Sequence, residues 1–162
     1  MVVESNTIDL DHLDLGYLAL FLGQRVNELV VARLVRAGFR KVRESHGYVV
    51  QHLIERDRSI SDLARRTGVT QQAASKTIAE MIRLGILEAK PALDRRAKLI
   101  RISNRGWESI RFSRRARARI DRRLATRVGA RKYRSMKAGL VECLTELGGV
   151  TRIRSRRVRE PQ

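Results

Sequence analysis

The chain has 162 residues, of which 35 are Lys or Arg and 17 are Asp or Glu, so its formal charge at pH 7 is +18. This length suits one domain, and the 4% content of aromatic residues requires a mainly aliphatic core. The charge predicts a polyanionic partner, nucleic acid first and an anionic membrane surface second. A single cysteine excludes an internal disulfide. Short, charge-interrupted apolar runs exclude a membrane span, and the acidic N-terminus lacks a signal-peptide pattern, so we expect a cytoplasmic protein.

The first third of the chain predicts two helices. From about Asp14, apolar residues recur at three- and four-residue steps, which indicates a long amphipathic helix that ends near Gly38. Asp11 and Asp14 precede this helix, where their negative charges interact favourably with the positive end of the helix dipole. A second helix is predicted from about Ser45 to Arg56, with an inner face of Val49, Leu53 and Ile54.

The segment SISDLARRTGVTQQAASKTIAEMIRLG, residues 59–85, is typical of a helix-turn-helix. Ser59 and Asp62 have the spacing of a capping box at the start of the first helix. Gly68 can adopt the positive φ of a sharp turn, and Thr70 is a good N-cap for the second helix. We expect Val69 to fill the angle between the helices. The predicted inward residues of the second helix are Ala74, Ile78, Met81 and Ile82.

The outward face near the start of this second helix carries uncharged hydrogen-bonding side chains and one cation. Amide and hydroxyl groups suit the edges of bases in a major groove, whereas an ammonium suits phosphate. The alternative is an ordinary solvated helical hairpin, since helical turns that contain glycine are common. The residues of this face are Gln71, Gln72, Ser75 and Lys76.

A predicted β-hairpin follows directly and favours DNA binding over the solvated hairpin. Its strands are residues 86–90 and 97–102, and residues 91–96 form the tip. A hairpin after a recognition helix makes a winged helix, which would place Arg95 and Arg96 beside the DNA. Two motifs in this order are harder to obtain by chance than either alone.

The C-terminal part is helical and very basic. A long helix is predicted from about Arg105 to Val128, with a narrow apolar stripe and many arginines on its other faces. These arginines form either a solvated face or an extension of the phosphate footprint. After Gly129 a last helix is predicted, and residues 149–162 are expected to be a basic, flexible tail. The predicted inward residues of the last helix are Met136, Leu140, Val141, Leu144 and Leu147.

With these motifs in this order, residues 12–148 resemble the MarR family of winged-helix regulators. The most specific parts are ISDLARRTGVTQQAASKTIAEMIRLGILE and the DRRAKLIRIS hairpin with the NRG that follows it. The very basic fifth helix and tail depart from the family pattern. The resemblance implies that Arg96 enters a minor groove and that Asp94 orients it, with Arg95 on the backbone. The DNA-binding residues are therefore expected to be Thr70, Gln71, Gln72, Ala73, Ser75, Lys76, Asp94, Arg95, Arg96 and Lys98.

The fold class that follows is mainly α with a small β-wing. The resemblance implies a two-fold homodimer built from the N- and C-terminal helices, and release from DNA, in many members, by a small ligand or an oxidant. The expected organisation is residues 1–44 for a dimerisation helix, 45–103 for the DNA-binding domain, 104–148 for further dimerisation helices and 149–162 for the tail. The expected interface residues are Leu18, Leu22, Leu140, Leu144 and Leu147.

Other kinds of site have weaker support in the sequence. Cys143 is either a redox switch or, more commonly for a lone cysteine, a small inert hydrophobe. The histidines and nearby acids lack metal-ligand spacing, and no nucleophile with an evident base is present, so we expect neither a metal or other cofactor nor an enzyme. His46, Tyr48 and His52 either pack in the core or line a pocket of the kind in which the family binds phenolic compounds.

The sequence thus predicts a regulator of transcription, most simply a repressor, that binds a pseudo-palindromic operator in double-stranded DNA. Its partners would be DNA, a second copy of itself and a small-molecule effector, without a membrane, and its location would be the nucleoid. One rival is an architectural DNA-binding protein with little sequence preference. An RNA-binding module is the other, disfavoured because few aromatic side chains are available for stacking on bases.

Overall fold

A computed structural model describes residues 8–91 and 98–155, except for the side chains of residues 152, 154 and 155. A short 3-10 turn at Leu10–His12 precedes the first helix. The elements that follow in the described residues are α1 (Leu15–Arg36), α2 (Glu44–Leu53), β1 (Arg58–Ser59), α3 (Ile60–Thr67), α4 (Gln71–Arg83), β2 (Leu87–Pro91), β3 (Lys98–Ile102), α5 (Asn104–Val128), α6 (Ala130–Glu146) and α7 (Gly149–Ser155). The predicted class, mainly helical with a small β-wing, is confirmed.

Short polar side chains fix where several helices begin. The Asp14 carboxylate accepts a hydrogen bond from the Tyr17 amide at 2.9 Å, which caps α1. The Ser103 hydroxyl accepts one from the Gly106 amide at 2.9 Å and thereby caps α5. Each cap satisfies a backbone donor that has no partner within its helix. The helix starts predicted at these positions are therefore correct to within a residue or two.

The three strands form one antiparallel sheet in the order β1-β3-β2. In the hairpin, Leu87 pairs with Ile102 and Pro91 with Lys98. The two residues of β1 pair with β3 on its other side, so the wing is joined to the loop between α2 and α3. This additional strand gives the base of the wing a fixed position relative to the helix-turn-helix.

The core lies between the helix-turn-helix, the sheet and the first part of α5. Its most deeply buried apolar side chains come from α3, α4, β2 and β3, so these elements share one core. Residues from α1, α2 and α5 extend it toward the long helices. The deepest side chains are Leu63, Ile78, Met81, Leu87 and Ile100.

A close contact links α5 to the end of α4. The Ser103 hydroxyl also donates to the Ile86 carbonyl at 3.1 Å, just after the turn that ends α4. A Cβ atom at Gly106 would lie 2.2 Å from the same Ile86 carbonyl oxygen, so the backbones approach as closely as only glycine allows. The long helix therefore starts at the end of α4 that is opposite to Thr70.

Several predicted inward residues are exposed in the chain. Ile82 is 37% exposed because it lies at the edge of the buried stripe of α4, about 40° around the helix from Ile78 and about 100° from Met81. Val69 is also exposed, although it lies beside Leu63 and Ala74 in the space between α2, α3 and α4. The α6 side chains predicted to face inward are exposed or, for Leu140, half-buried, since α6 has no buried residue.

The first half of the predicted flexible tail is helical. Gly148, with φ of 70°, ends α6, and α7 follows at Gly149–Ser155 and contacts α6. Half-burial of Val150 gives this helix an apolar contact that the charge-rich sequence did not indicate. Residues 156–162 of the predicted tail lie outside the described residues. Within the described part of the chain, no helix is long and apolar enough to cross a membrane.

Candidate nucleic-acid interface

The turn between α3 and α4 has the geometry predicted from its sequence. Gly68 ends α3 in the left-handed region, with φ of 68° and ψ of 38°. Thr70 then caps α4, because its hydroxyl accepts a hydrogen bond from the Ala73 amide at 3.2 Å. These two local signals set the angle between the helices and leave the start of α4 at the surface.

The exposed end of α4 carries the residues that the sequence analysis selected. Relative to the buried stripe, Gln72 and Lys76 lie on the opposite side of the helix, one turn apart. Arg83 lies on the same outward side two turns further on, beyond the helix start from which the candidate residues were predicted. The selected residues, all exposed, are Thr70, Gln71, Gln72, Ala73, Ser75 and Lys76.

The wing is described only at its base. Lys90 and Lys98 are exposed and lie near the end of the paired strands, with Pro91 opposite Lys98. Below them, Arg101 donates to the Glu88 carboxylate across the strands at 2.6 Å. The predicted site residues Asp94, Arg95 and Arg96 lie in the segment 92–97, outside the described residues, so their part in the interface stays a prediction.

A carboxylate surrounded by guanidiniums holds α3 in place. Asp62 accepts hydrogen bonds from Arg58 at 2.8 Å, from Arg65 at 2.5 Å and from Arg66 at 3.0 Å. Burial alone would raise the pKa of Asp62, but these three hydrogen bonds outweigh burial and hold the pKa well below its usual range. The sequence spacing predicts that Asp62 belongs to a capping box. The Ser59 hydroxyl does accept a hydrogen bond from the Asp62 amide at 3.2 Å. The Asp62 carboxylate, however, accepts its hydrogen bonds from the arginines and not from the Ser59 amide.

A second cluster joins α4 to α2. On α4, Glu80 accepts a hydrogen bond from Arg43, the residue before α2. His46 is buried, and its Nδ1 accepts a hydrogen bond from the Arg43 amide at 3.2 Å while its Nε2 lies 3.9 Å from Glu80. Burial lowers the pKa of His46, Glu80 raises it and Arg43 lowers it, with a net lowering. The imidazole is therefore predominantly neutral at pH 7.

Two cavities lie beside these clusters. The larger, of about 550 Å³, lies between α1, α2 and α5, and His46, Arg43 and Tyr48 are in its wall. A smaller one of about 210 Å³ lies between α2, α3 and α4, where Tyr48 and His52 contribute. The three residues predicted for one pocket are thus divided between two. Only Tyr48 borders both.

The predicted dimer-interface residues lie on apolar surface that the chain itself leaves open. Leu18 and Leu22 of α1 are exposed, next to other exposed apolar residues such as Phe21. On α6, Leu144 and Leu147 are exposed and Leu140 is half-buried. Cys143, on the same helix, is an exposed free thiol. Among the described residues no group of His, Cys, Asp or Glu could hold a metal ion.

The architecture just described, two short helices joined by a tight turn and followed by a hairpin, defines a winged helix-turn-helix protein. The model of the MarR family matches residues 42–97, from the start of α2 to the wing. The family resemblance predicted from the sequence is therefore confirmed for this segment, which carries the MarR-family pattern.

Solved structures of this fold cover most of the chain. The Staphylococcus aureus transcription regulator MepR superposes with a TM-score of 0.68 at 15% identity, over 83% of this chain and 99% of that one. Escherichia coli MarR gives a TM-score of 0.62 at 16% identity, over 82% and 98% of the two chains. A complex of MepR with DNA gives 0.65 at 17% identity, over 82% and 98%. None of the curated proteins compared with the chain matches its sequence.

Proposed function

We propose that the protein is a homodimeric transcription regulator, most simply a repressor, that binds a pseudo-palindromic operator in double-stranded DNA. The observation that carries this proposal is the exposed, polar start of α4, which is capped by Thr70 and held by packing from α3. MepR, which shares the fold, has been crystallised with DNA. No catalytic step and no resident cofactor belong to the proposal.

In this function the outward face of α4 enters the major groove. Gln72 can donate to and accept from one adenine, a bidentate contact that distinguishes bases. Lys76, one turn further along, pairs with a phosphate or with the acceptors of guanine. Gln71, Ala73 and Ser75 supply the remaining contacts near the helix start, where the dipole favours phosphate oxygens.

The wing supplies the second contact. Lys98 and Lys90 at its base are exposed and positive, which suits the phosphate backbone. Beyond them, Arg95 and Arg96 would reach the backbone and the minor groove, with Asp94 as the orienting partner of Arg96. Because β1 joins the sheet to the loop before α3, wing and recognition helix would approach DNA as one unit.

Dimerisation would cover the apolar surface on α1 and α6. Leu18, Leu22 and Leu144 project apolar side chains into solvent, and a monomer gains nothing from that exposure. A two-fold dimer would bury these side chains, together with Leu140 and Leu147, against their copies. It would also present two α4 helices about one helical turn of DNA apart, roughly 10 bp from centre to centre.

An effector would bind in the larger cavity. Its volume of about 550 Å³ suits a small organic molecule, and its wall contains Arg43, the partner of Glu80 on α4. A ligand that takes Arg43 away from Glu80 would loosen the attachment of the recognition helix to α2. This connection gives the cavity a route to the DNA-binding surface.

Selection from a library of random duplexes tests the proposal against the architectural alternative. Rounds of binding at about 0.15 M salt should enrich an inverted repeat whose half-sites lie about 10 bp apart. The alternative predicts that no sequence is enriched, because a protein that binds through charge alone binds every duplex equally.

A further inference from the structure

The outward face of α5 is strongly basic. The helix contains nine arginines and two acidic residues, Glu108 and Asp121. Four of the arginines follow one another at steps of four, four and three residues, which places them along the side opposite the buried Ile110, Ala116 and Ile120. We define the α5 arginine face by these four residues, all exposed: Arg111, Arg115, Arg119 and Arg122.

This charge is not compensated within the described part of the chain. The ion pairs found there involve arginines of other elements, such as Arg58 and Arg101, and none includes the α5 arginine face. Asp121 lies beside Tyr133 of α6, since burial, followed by the nearby Asp121 carboxylate, raises the pKa of Tyr133. Glu108, exposed one turn before Arg111, is in none of these ion pairs, and the four guanidiniums therefore present a net positive surface.

The α5 arginine face lies away from the end of α4 that is proposed to read DNA. The hydroxyl of Ser103, the N-cap of α5, bonds to the Gly85 and Ile86 carbonyls just after α4, whereas Thr70 and Gln72 lie at the opposite end. The 13 residues of α4 separate these ends by about 18 Å. Beyond this junction α5 packs mainly against α1 and α6. One duplex on α4 and the wing would therefore leave the face open.

From this arrangement we infer that the α5 arginine face is a second, sequence-independent binding surface for the backbone of duplex DNA. Its four guanidiniums extend over about 16 Å of helix, and a duplex presents about one phosphate charge per 1.7 Å of its axis. One protein molecule would then hold two DNA segments, an operator on α4 and the wing and a second segment on α5. The inference goes beyond the proposed function and does not require the operator to be known.

The composition of the face favours a duplex over other polyanions. Single-stranded RNA is bound by stacking on aromatic side chains, but the aromatic residues of α5, Trp107 and Phe112, are half-buried against the core. A protein partner would need an apolar anchor, whereas the uncharged residue within this face is Ala118. Repeated guanidiniums without anchors suit a regular array of phosphates.

Capture of a second duplex tests the inference. The full chain is loaded onto a bead-bound 30-bp duplex of random sequence and washed, and a fluorescent copy of the same duplex is then added at about 0.1 M salt. The wild-type protein should retain the fluorescent duplex. The variant Arg111→Gln, Arg115→Gln, Arg119→Gln, Arg122→Gln should lower this capture by about tenfold or more, because its contacts with phosphate are lost. Each lost contact should also reduce the slope of log affinity against log salt concentration by about 0.9. Its loading on the first duplex should change by less than about threefold.

Two control variants separate the face from net charge and from folding. The variant Arg25→Gln, Arg36→Gln, Arg40→Gln, Arg56→Gln removes the same number of exposed charges elsewhere and should retain capture. Replacing the four arginines of the face with lysine keeps the charge and should also retain capture, which shows that the site tolerates altered side chains. All variants should unfold at the temperature of the wild type.

Four results would overturn the inference. The first is failure of the wild type to capture a second duplex, and the second is capture by the glutamine variant of the face that equals capture by the wild type. Parallel loss of loading and capture would show that the face belongs to a single DNA footprint. Stronger retention of labelled single-stranded RNA or of polyglutamate than of the duplex would show that duplex DNA is the wrong partner.

Discussion

Arg58 donates a hydrogen bond to Asp62 at 2.8 Å, and this pair ties the first strand of the sheet to the first helix of the helix-turn-helix. Arg58 is buried and also donates to the His52 carbonyl at the end of α2. One guanidinium thus connects α2, β1 and α3. α4 keeps its orientation because α3, on which it packs, is fixed in this way.

Replacing Asp62 with Asn should destabilise the chain by about 2–3 kcal/mol, since it leaves a buried guanidinium without its anion. Urea unfolding at pH 7 measures the change. The matched control is Arg65→Gln, because Arg65 bonds to the same carboxylate from an exposed position and should contribute less than about 0.5 kcal/mol. An equal loss of unfolding free energy in the two variants would contradict the claim that the buried Arg58–Asp62 pair contributes more to stability than the exposed pair with Arg65.

The wild type should lose stability in acid through the same carboxylate. The pKa of Asp62 in the folded state lies well below the ordinary value of 3.8, so the ionised form stabilises the fold above pH 3.8. This contribution declines as pH falls below 3.8 toward the folded-state pKa. Unfolding measured between pH 5 and about pH 2.5 should show a steeper decline for the wild type than for Asp62→Asn. Parallel curves would show that Asp62 is not the titrating group.

The contact between α5 and the end of α4 gives a prediction with a clear control. Gly106→Ala places a Cβ atom 2.2 Å from the Ile86 carbonyl oxygen and 2.7 Å from the Ile102 side chain, so we expect a loss of about 3 kcal/mol. Gly47→Ala, in α2, meets nothing within 4 Å and should instead stabilise the chain by about 0.5–1 kcal/mol. Thermal unfolding of both variants provides the comparison, and a tolerated alanine at Gly106 would refute the close packing.

Dimer formation can be tested on α6. Leu144→Arg should convert the dimer to monomer in sedimentation velocity, because it places a charge on the apolar surface proposed to meet its copy. Thr145→Arg adds the same charge at the next position, also exposed, and should sediment as the wild type. If both variants remain dimeric, the interface does not include this face of α6.

Local signals explain which parts of the fold were predictable. Thr70, Gly68 and Ser103 act within four residues of themselves, and each has the conformation or hydrogen bond expected from its residue type. The strand β1 was not predicted, because two residues carry no alternation that a pattern could reveal. The contact between Arg43 and Glu80 was also missed, since the two residues are 37 positions apart. The spacing of residues in the sequence does not predict which distant charged residues will form ion pairs.

The candidate site was predictable to a similar extent. Gln72 and Lys76 were identified because helical periodicity separates an outward face from a buried one, and the buried face of α4 was largely correct. The prediction that Ile82 faces inward was wrong, because the apolar stripe of four residues is broader than the surface that α3 and the sheet cover. Apolar periodicity alone placed Leu144 and Leu147 on an inward face of α6 but could not say which molecule covers that face; their assignment to a dimer interface came from the family resemblance.

The most direct test of the proposed function compares affinities for two duplexes at several salt concentrations, one selected for binding and one with the same bases scrambled. The wild type should bind the selected duplex at least about a thousandfold more tightly. Gln72→Ala should reduce this ratio more than it weakens binding to the scrambled duplex. Equal affinities for both duplexes, with the same steep dependence on salt, would contradict the account and leave a protein that binds DNA through charge alone.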